Sequence, residues 1–458
     1  MIGIGIGIPY GSSTGIGGGL PPIVSRLSSL LDSLSGILWL PNQHNYTLTS
    51  DTTVTANGDP VGYMGSHRQN LPENYVKNSM MVGTGGVNGS PDYWSYVITA
   101  NGVTTSVSTG IDEYGTYTQF SMSGTAGGTI GYQTISFNGA VASGNHPVAA
   151  YAQLWSSSFK LRGISGTQRA GNISLRSIDA SNALLTNMGS TGFTPSDSIK
   201  TVVISGVIPD LTCAYLRSAI TITVVADSGT WDNVFRIYAP QLERGKPTAF
   251  TPTYGTVVTR GTNFEPAWQD TTANKPLLGV DAGGKSILTF DGSDDFFRTG
   301  IQTPEAGYIA GVWRSSSTGI NKDMFGSSNT TTTIGAVLRK NASEQAVMQR
   351  NDGTLSASAI VNSFGSNKRV VDANYSFTEA FIRLDGANEG TTALDRTVTS
   401  TNYFRIGAAG TAVADGQTNF WLGTMSAKVF IPGERPGATV EAKIRRLLAE
   451  ITAVSGVV

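Results

Sequence analysis

Short runs of β-branched and aromatic residues, each ended by Gly, Pro, Asn or Asp, recur along most of this 458-residue sequence. Residues 201–207, 220–225 and 234–239 are three examples. Such runs favour extended backbone, and the residues between them favour tight turns. Glycine contributes 56 residues, well above the roughly 7% of an average chain, as many short turns require. The sequence therefore predicts an all-β protein.

Charge and residue usage exclude several classes of protein. There are 31 Lys and Arg against 32 Asp and Glu, so no basic surface is available and no nucleic-acid partner is expected. The single cysteine, Cys213, excludes an intrachain disulfide. Three histidines without metal-ligand spacing argue against a zinc site and a Ser-His-Asp triad. No stretch reaches the roughly 20 apolar residues of a membrane helix, so no membrane insertion is expected.

Two helices and one hairpin stand out from the strand pattern. Apolar residues at helical spacing predict a short amphipathic helix over residues 24–35 and a C-terminal helix over residues 436–453. Asn101-Gly102, between two β-rich runs, predicts a two-residue hairpin turn. The apolar residues of the first helix are Val24, Leu27, Leu30, Leu31 and Leu34.

The sequence of the N-terminal segment predicts a strand that takes part in assembly with other chains. Ile alternates with Gly over the first eight residues, which suits an extended strand with one apolar face. We expect a partner chain to hold this strand, because a free Gly-rich terminus is seldom ordered. The residues assigned to assembly, in this strand and the helix after it, are Ile2, Ile4, Ile6, Ile8, Leu27, Leu30 and Leu31.

Residues 239–253 carry a first resemblance to a known family. The stretch Gln241-Leu242-Glu243-Arg244-Gly245, then Thr248 and Pro252, and then Val258-Thr259-Arg260-Gly261, resembles the closing strand of carbohydrate-binding-module-like jelly rolls in phage tail proteins. Residues 75–79 take the place of that family's opening strand. Gln241 and Glu243 lie on one face of a strand. For Glu243, hydrogen bonds to backbone at the strand end are favoured over ligand contact.

Residues 288–297 carry a second resemblance. Phe290-Asp291-Gly292-Ser293-Asp294-Asp295 resembles the strand and turn of concanavalin A-like, laminin-G-type sandwiches. Residues 404–407, 420–423 and 427–433 look like the last strands of that family, and the C-terminal helix fits its phage members.

The order of these segments predicts a domain insertion. Gly58-Asp59-Pro60-Val61-Gly62, which in phage proteins of the second type directly precedes the sandwich, is separated from it by the jelly-roll segment. The predicted fold is two β-sandwich (jelly-roll) domains, the first inserted into an early loop of the second. The predicted units are an N-terminal anchor and helix (1–36), a concanavalin A-like sandwich (37–63 plus 256–458) and a carbohydrate-binding-module-like jelly roll (64–255).

Two kinds of site are predicted, and no cofactor is expected apart from structural calcium. Asp294 and Asp295 are candidate calcium ligands, because calcium prefers hard oxygen ligands and related jelly rolls hold it; the alternative makes Asp291 and Asp294 turn-forming residues. Aromatic rings stack on the apolar faces of sugars, although many rings in a sandwich belong to its core. The candidate glycan-binding rings are Tyr93, Trp94, Tyr96, Trp155 and Trp231.

The two resemblances imply a virion protein of a tailed bacteriophage, of tail fibre or baseplate type, synthesised in the host cytoplasm. It is expected to bind a host-surface glycan without catalysis and to contact other virion proteins through its N-terminal segment. Weak sugar contacts gain from repetition, so a homo-oligomer is expected, and the family's habit favours a trimer. Two alternatives stay open: a structural virion subunit (decoration, collar or baseplate) without glycan binding, and a polysaccharide depolymerase.

Overall fold

The fold is described from a computed structural model of the chain. It covers residues 22–41, 45–46, 54, 56–69, 71–86, 88–98, 101–138, 146–226, 228–261, 264–327, 335–351, 356–361, 364–393, 402–410 and 417–457. The predicted N-terminal strand, with Ile2, Ile4, Ile6 and Ile8, lies outside the described residues.

The described chain is almost entirely β-structure between two helices. It begins with α1 (Pro22–Asp32), β1 (Ile37–Trp39), β2 (Asn45–Tyr46) and β3 (Tyr63–Met64). There follow β4 (Ser95–Ile98), β5 (Val103–Asp112), β6 (Gly115–Thr125), β7 (Gly131–Ser136), β8 (Leu154–Ser165), β9 (Gly171–Asp179), β10 (Leu184–Phe193), β11 (Lys200–Val207), β12 (Cys213–Val224), β13 (Thr230–Trp231) and β14 (Val234–Arg244). The last part contains β15 (Ala267–Trp268), β16 (Leu277–Val280), β17 (Ser286–Asp291), β18 (Phe297–Gln302), β19 (Gly307–Ser315), β20 (Lys322–Gly326), β21 (Gly335–Lys340), β22 (Ala346–Asn351), β23 (Ser356–Val361), β24 (Arg369–Tyr375), β25 (Glu379–Leu384), β26 (Asn388–Ala393), β27 (Tyr403–Ile406), β28 (Ala409–Gly410), β29 (Gln417–Thr418), β30 (Leu422–Pro432) and α2 (Ala438–Thr452).

The strands from β4 to β14 form the first sandwich. One of its sheets has the order β10-β9-β12-β7-β4, and we call it the five-stranded sheet. The other has the order β11-β8-β14-β6, with β13 and β5 also paired to β6. Apolar side chains that alternate along the strands of both sheets pack between them. The core includes Phe120, Ile135, Trp155, Ile220 and Phe235, each with no exposed surface.

The second sandwich is built from strands that precede the first sandwich in the chain and strands that follow it. One sheet runs β16-β17-β30-β19-β24-β25-β26 with β1 on β30, and the other runs β2-β3-β15-β18-β27-β20-β21-β22-β23. Ile37 of β1 pairs with Phe430, and Tyr63 of β3 pairs with Trp268, so the chain leaves this sandwich early and returns to it later. The predicted all-β fold of two sandwiches with a C-terminal helix is confirmed. The proposed boundaries at residues 64 and 255 stay a prediction.

Both helices pack on the outside of the second sandwich, against the sheet that contains β30. Leu27 and Leu31 of α1 have no exposed surface and contact the same apolar cluster as Leu448 of α2 and Val429 of β30. The prediction that Leu27 and Leu31 contact partner chains is therefore wrong, because the chain's own sheet and helix bury them. Leu30 is half-buried against this cluster. Neither described helix is long and apolar enough to cross a membrane.

Asn101-Gly102 does not form the predicted hairpin. The strand before it, β4, pairs with β7 in one sheet, whereas β5 after it pairs with β6 in the other. The dipeptide therefore carries the chain from one sheet to the opposite one. Gly102 has a φ of +90°, and a Cβ there would lie 2.2 Å from the carbonyl oxygen of Thr125, so the crossing requires glycine.

A buried ionic network ties the start of the first sandwich to the segment that follows it. The Arg260 guanidinium lies 3.0 Å from Glu73 Oε2 and 2.5 Å from Glu243 Oε2. Arg244 reaches the other oxygen of Glu73 at 3.1 Å. Glu243 also accepts a hydrogen bond of 2.8 Å from the backbone N–H of Thr248, which confirms its predicted backbone contact at the strand end.

Buried carboxyl groups predict an unusual dependence of stability on pH. Glu265 accepts a hydrogen bond from Gly300 N (2.8 Å), and burial raises its pKa to about 7. Burial likewise raises the pKa of Asp323 to about 7, against the opposing charge of Arg339. Such a carboxyl group binds its proton more tightly in the folded chain than in the unfolded chain, where the pKa of the group is about 4. Its stabilisation is therefore complete at low pH and is lost as the pH rises through 7.

We expect Glu265→Gln to lose less stability than the unchanged protein as the pH rises from 5 to 8, by about 2–3 kcal/mol. Glutamine keeps the oxygen that accepts from Gly300 and removes the titration. His146, with a pKa lowered to about 4 by burial, acts in the opposite direction below pH 6.5 in both proteins, so it cancels in the comparison. Urea unfolding at four pH values measures the difference, with the exposed Glu450→Gln as control. Parallel curves for Glu265→Gln and the unchanged protein would contradict the prediction.

Candidate functional site

A surface cavity of about 600 Å³ lies at one end of the first sandwich. The start of β9, the end of β10 and the end of β12 form one side of it, and the turn before β13 forms the other. The lining residues are Arg169, Ala170, Gly171, Asn172, Gly192, Phe193, Thr194, Thr223, Val225, Ser228 and Trp231.

A glycine allows an aromatic ring to form part of the cavity wall. Gly171, the first residue of β9, pairs with Phe193, the last residue of β10. A Cβ at Gly171 would lie 2.7 Å from the Phe193 ring, so a larger residue would displace that ring. Phe193 packs edge-on against the buried Phe159, with ring centroids 5.7 Å apart, and remains half-exposed. The cavity therefore has a fixed apolar wall.

An arginine held over a tryptophan supplies positive charge to the cavity. The Arg169 guanidinium lies 4.9 Å from the centroid of the Trp231 ring and donates to the carbonyl oxygen of Thr230 (3.1 Å). Trp231 is 2% exposed, and its Nε1 donates to Ser228 Oγ (3.0 Å). No carboxylate of the described residues forms an ion pair with Arg169. The guanidinium is therefore available to a ligand, with the indole as its support.

The cavity continues onto the side of the five-stranded sheet that faces away from the core, which we call the outer sheet face. Because Ile173, Leu175, Ile220 and Ile222 point into the core, their neighbours along the strands point outward. Most of these neighbours are small and polar. They are Asn172, Ser174 and Arg176 on β9, Arg217, Ala219, Thr221 and Thr223 on β12, and Tyr132, Thr134 and Ser136 on β7.

The chemistry of this surface is that of a binding site for a hydroxyl-rich ligand. The cavity presents amide, hydroxyl and guanidinium groups beside aromatic and aliphatic carbon. Fixed polar groups on an apolar wall orient a ligand and select it. The described lining contains no Asp, Glu, His or Cys, so it brings no acid–base pair or nucleophilic thiol to the cavity.

Three of the aromatic rings that the sequence assigned to glycan binding belong to the core. Trp94, Tyr96 and Trp155 are 1%, 0% and 0% exposed. Trp94 Nε1 donates to Asn78 O at 3.0 Å, and Trp155 packs edge-on against Tyr75 with centroids 5.0 Å apart. A ring without an exposed face cannot stack on a sugar, so the prediction is wrong for these three. The sandwich core needs large side chains, and sequence alone does not separate them from surface rings.

The two remaining rings lie in different places. Trp231 lines the cavity, although Arg169 covers its face, so its contribution there is to hold the guanidinium. Tyr93 is 38% exposed with a φ of +67°, on a loop outside the cavity lining, and the Lys77 ammonium lies 5.8 Å from its ring centroid. The structure thus places one of the five predicted rings at the cavity.

The predicted calcium ligands form a compact carboxylate cluster in the second sandwich. Ligand oxygens of Asp291, Asp294 and Asp295 lie within 4.8 Å of one another, and calcium binds oxygen ligands of this kind. Asp291 Oδ1 accepts from Ser293 N (2.8 Å), as expected of a turn-forming residue, and Asp295 Oδ2 accepts from Asp291 N (2.8 Å). Burial, together with repulsion from the other two carboxylates, raises the pKa of Asp295 to about 6. Calcium binding by Asp294 and Asp295 stays a prediction.

The residues that shape the cavity carry little signal in the sequence. Arg169, Asn172 and Phe193 sit among ordinary polar and glycine residues, and no motif connects them. They meet only because β9 pairs with β10 and the turn before β13 folds beside both. The stacking of Arg169 on Trp231 joins positions that are distant in sequence, so only the fold reveals it.

Comparison with known proteins yields similar structures but no family. No protein-family model and no curated protein matches the chain. A family 11 carbohydrate-binding module from Clostridium thermocellum, in complex with a β-1,3-1,4-mixed-linked tetrasaccharide, is 15% identical with a TM-score of 0.24, covering 35% of this chain and 93% of that chain. The CBM22-1 xylan-binding domain from Paenibacillus barcinonensis is 12% identical with a TM-score of 0.24, covering 42% and 99%. The enzymatically active domain of tailspike protein 4 of bacteriophage CBA120 is 16% identical with a TM-score of 0.25, covering 37% and 22%. These similarities are too weak to assign the chain to a family.

Proposed function

We propose that this protein binds glycans through the cavity and the outer sheet face of the first sandwich, without catalysing a reaction on them. The observation that carries the proposal is the cavity of about 600 Å³, where Arg169, Asn172 and Thr223 border the half-exposed ring of Phe193. Sugars present hydroxyl groups at their edges and C–H groups on their faces. A surface with both kinds of partner fits them better than it fits a wholly apolar ligand.

The composition of the cavity supports binding over hydrolysis. Glycoside hydrolysis commonly uses two carboxyl groups on either side of the scissile bond. The described lining residues include none. A polysaccharide depolymerase would need such a pair elsewhere, so binding without catalysis is the simpler proposal for this surface.

The biological setting that we propose is the virion of a tailed bacteriophage, where the protein would attach to glycans of the host surface. The support is the sequence resemblance of residues 239–261 to jelly rolls of phage tail proteins, and of residues 286–453 to concanavalin A-like sandwiches that include phage members. Single sugar contacts are weak, and several copies on one particle multiply them. We therefore propose a homo-oligomer, with a trimer favoured, joined to other virion proteins through the N-terminal segment. A structural virion subunit without glycan binding is the alternative.

Glycan binding is tested with Arg169→Ala. The full chain is applied to a glycan array, and the affinity for the strongest ligand is then measured by calorimetry. We expect Arg169→Ala to weaken binding about tenfold or more, since a charged hydrogen bond is lost. Arg162→Ala is the matched control, because Arg162 stacks on Tyr114 at 5.0 Å in the opposite sheet, where it pairs with Glu113.

The outcomes separate the candidate functions. Equal weakening of glycan binding by Arg169→Ala and Arg162→Ala would show that the glycan does not bind in the cavity. The absence of binding to every glycan on the array, together with detection of the protein on purified particles by mass spectrometry, would favour the structural virion subunit. Release of shortened oligosaccharides from a bound polysaccharide would favour the depolymerase.

A further inference from the structure

We infer that the outer sheet face binds a glycan that carries a carboxylate, held by Arg176 and Arg217. This inference rests on the proposed glycan-binding function and specifies its ligand as an acidic sugar, such as a uronic or sialic acid. Arg176 on β9 and Arg217 on β12 are direct partners across the antiparallel pair. Side chains in such a pair have Cβ atoms about 4.5–5.5 Å apart.

A serine hydroxyl orients each of the two guanidinium groups. Arg217 Nε donates to Ser136 Oγ (3.0 Å), and Arg176 Nε donates to Ser174 Oγ (3.1 Å). Among the described residues neither arginine makes another side-chain hydrogen bond, so the terminal nitrogens of both remain available. A guanidinium presents its N–H groups as a planar fork that matches the two oxygens of a carboxylate.

Like charges directly opposite each other destabilise a sheet unless something compensates for them. No ion pair joins Arg176 or Arg217 to a carboxylate of the described residues. Burial, and then the charge of Arg176, lower the pKa of Arg217. The neighbouring His146 adds no third positive charge at neutral pH, because burial and the charge of Arg217 lower its pKa to about 4.

The strands of this sheet contain a single acidic residue, and it is already engaged. Asp179, at the end of β9, accepts from the backbone N–H groups of Ser181 (2.9 Å) and Ala183 (2.8 Å) in the following turn. The outer sheet face therefore lacks its own anion, and an anionic ligand would supply it.

Apart from Arg169, the other arginines of the first sandwich and its flanking segments form ion pairs with carboxylates. Arg236 lies 2.8 Å from Asp112, and Arg162 lies 3.1 Å from Glu113. Arg244 and Arg260 both reach Glu73. Among the described residues, Arg176, Arg217 and Arg169 have no carboxylate within 4 Å, unlike these four arginines.

The position of the pair fits an extended oligosaccharide. Asn172, which lines the cavity, and Arg176 are four residues apart on one strand, or roughly 13 Å. Between them lie the small residues Ser174, Ala219 and Ser136, which are buried, and the arginines donate to the two serine hydroxyls. A ligand of a few sugars that begins in the cavity is therefore long enough to reach the half-buried arginine pair and place an acidic residue there.

Matched acidic and neutral glycans test the inference. The full chain is titrated with oligogalacturonate and its carboxyl-reduced form, and with sialyllactose and lactose. At least one acidic member is expected to bind about tenfold or more tightly than its neutral counterpart. Arg176→Gln and Arg217→Gln are each expected to remove that preference, so that acidic and neutral members bind with similar affinity. Arg446→Gln, an exposed arginine of α2, is the control for net charge.

Equal binding of acidic and neutral members would overturn the acidic-sugar inference and leave glycan binding intact. The same conclusion would follow if both arginine substitutions kept the preference, or if only sulfated or phosphorylated glycans bound. Failure of every glycan to bind would overturn the proposed function itself. Melting temperatures of the variants verify folding, and they are expected not to fall, because each substitution removes a like-charge contact.

Discussion

Lys428→Met is expected to raise the free energy of unfolding by about 2–4 kcal/mol. Lys428 of β30 has no exposed surface, and its Nζ has no hydrogen-bond partner among the described residues. The nitrogen lies 3.9 Å from the Phe325 ring centroid and 6.0 Å from that of Trp313. Methionine fills a similar volume without an amine to desolvate. Urea unfolding at pH 7 measures the gain.

The pH dependence of this gain tests its cause. Burial holds the pKa of Lys428 well below its ordinary value, so the unfolded chain binds the proton more tightly than the folded chain does. The penalty is therefore largest at low pH and shrinks as the pH rises toward 10. The advantage of Lys428→Met should shrink in the same way. Lys443→Met, at an exposed position of α2, is expected to change stability by less than about 0.5 kcal/mol. A loss of stability in Lys428→Met would show that the amine is needed.

Arg260→Ala is expected to lower the free energy of unfolding by about 3–5 kcal/mol, because it leaves the buried Glu243 without its counter-ion and leaves Glu73 with Arg244 alone. Arg260 is 1% exposed and lies between Glu73 and Glu243. Its Nε also donates to the carbonyl oxygen of Leu71 (3.0 Å). The side chain therefore holds the entry and exit segments of the first sandwich together. Urea unfolding at pH 7.5 measures the loss.

A double substitution separates the ionic contribution from lost packing. Adding Glu243→Gln to Arg260→Ala neutralises one of the charges left behind, so the double variant should lose less than the sum of the two single changes. Arg446→Ala removes an exposed arginine and should cost little. Strict additivity would contradict the role of Arg260 as a buried counter-ion.

The predicted elements differ in how far they depended on local pattern. The helices over residues 24–35 and 436–453 became α1 (Pro22–Asp32) and α2 (Ala438–Thr452), because an apolar stripe at helical spacing is a property of one segment. The hairpin at Asn101-Gly102 failed because strand pairing is not local. β4 found its partner in β7, and β5 found its partner in β6.

The site was less accessible to sequence reasoning than the fold. Aromatic rings are the side chains expected to stack on sugars, but three of the five predicted rings belong to the core, because the space between two sheets is filled by large side chains. Trp231 does lie at the cavity, but beneath Arg169. The sequence does not predict a role for Arg176 and Arg217, because they become neighbours only through the register of β9 and β12.

The sequence by itself determined the class of structure. Short β-rich runs ended by turn residues require an all-β chain, and two apolar stripes require helices, because both patterns act through the conformational preferences of adjacent residues. Tertiary structure alone decided which strands pair, which rings are buried, and which charges remain without partners. These depend on contacts between residues far apart in the chain. Arg176 and Arg217, which have no carboxylate partner in the described part of the chain and on which the proposed ligand depends, belong to this second group.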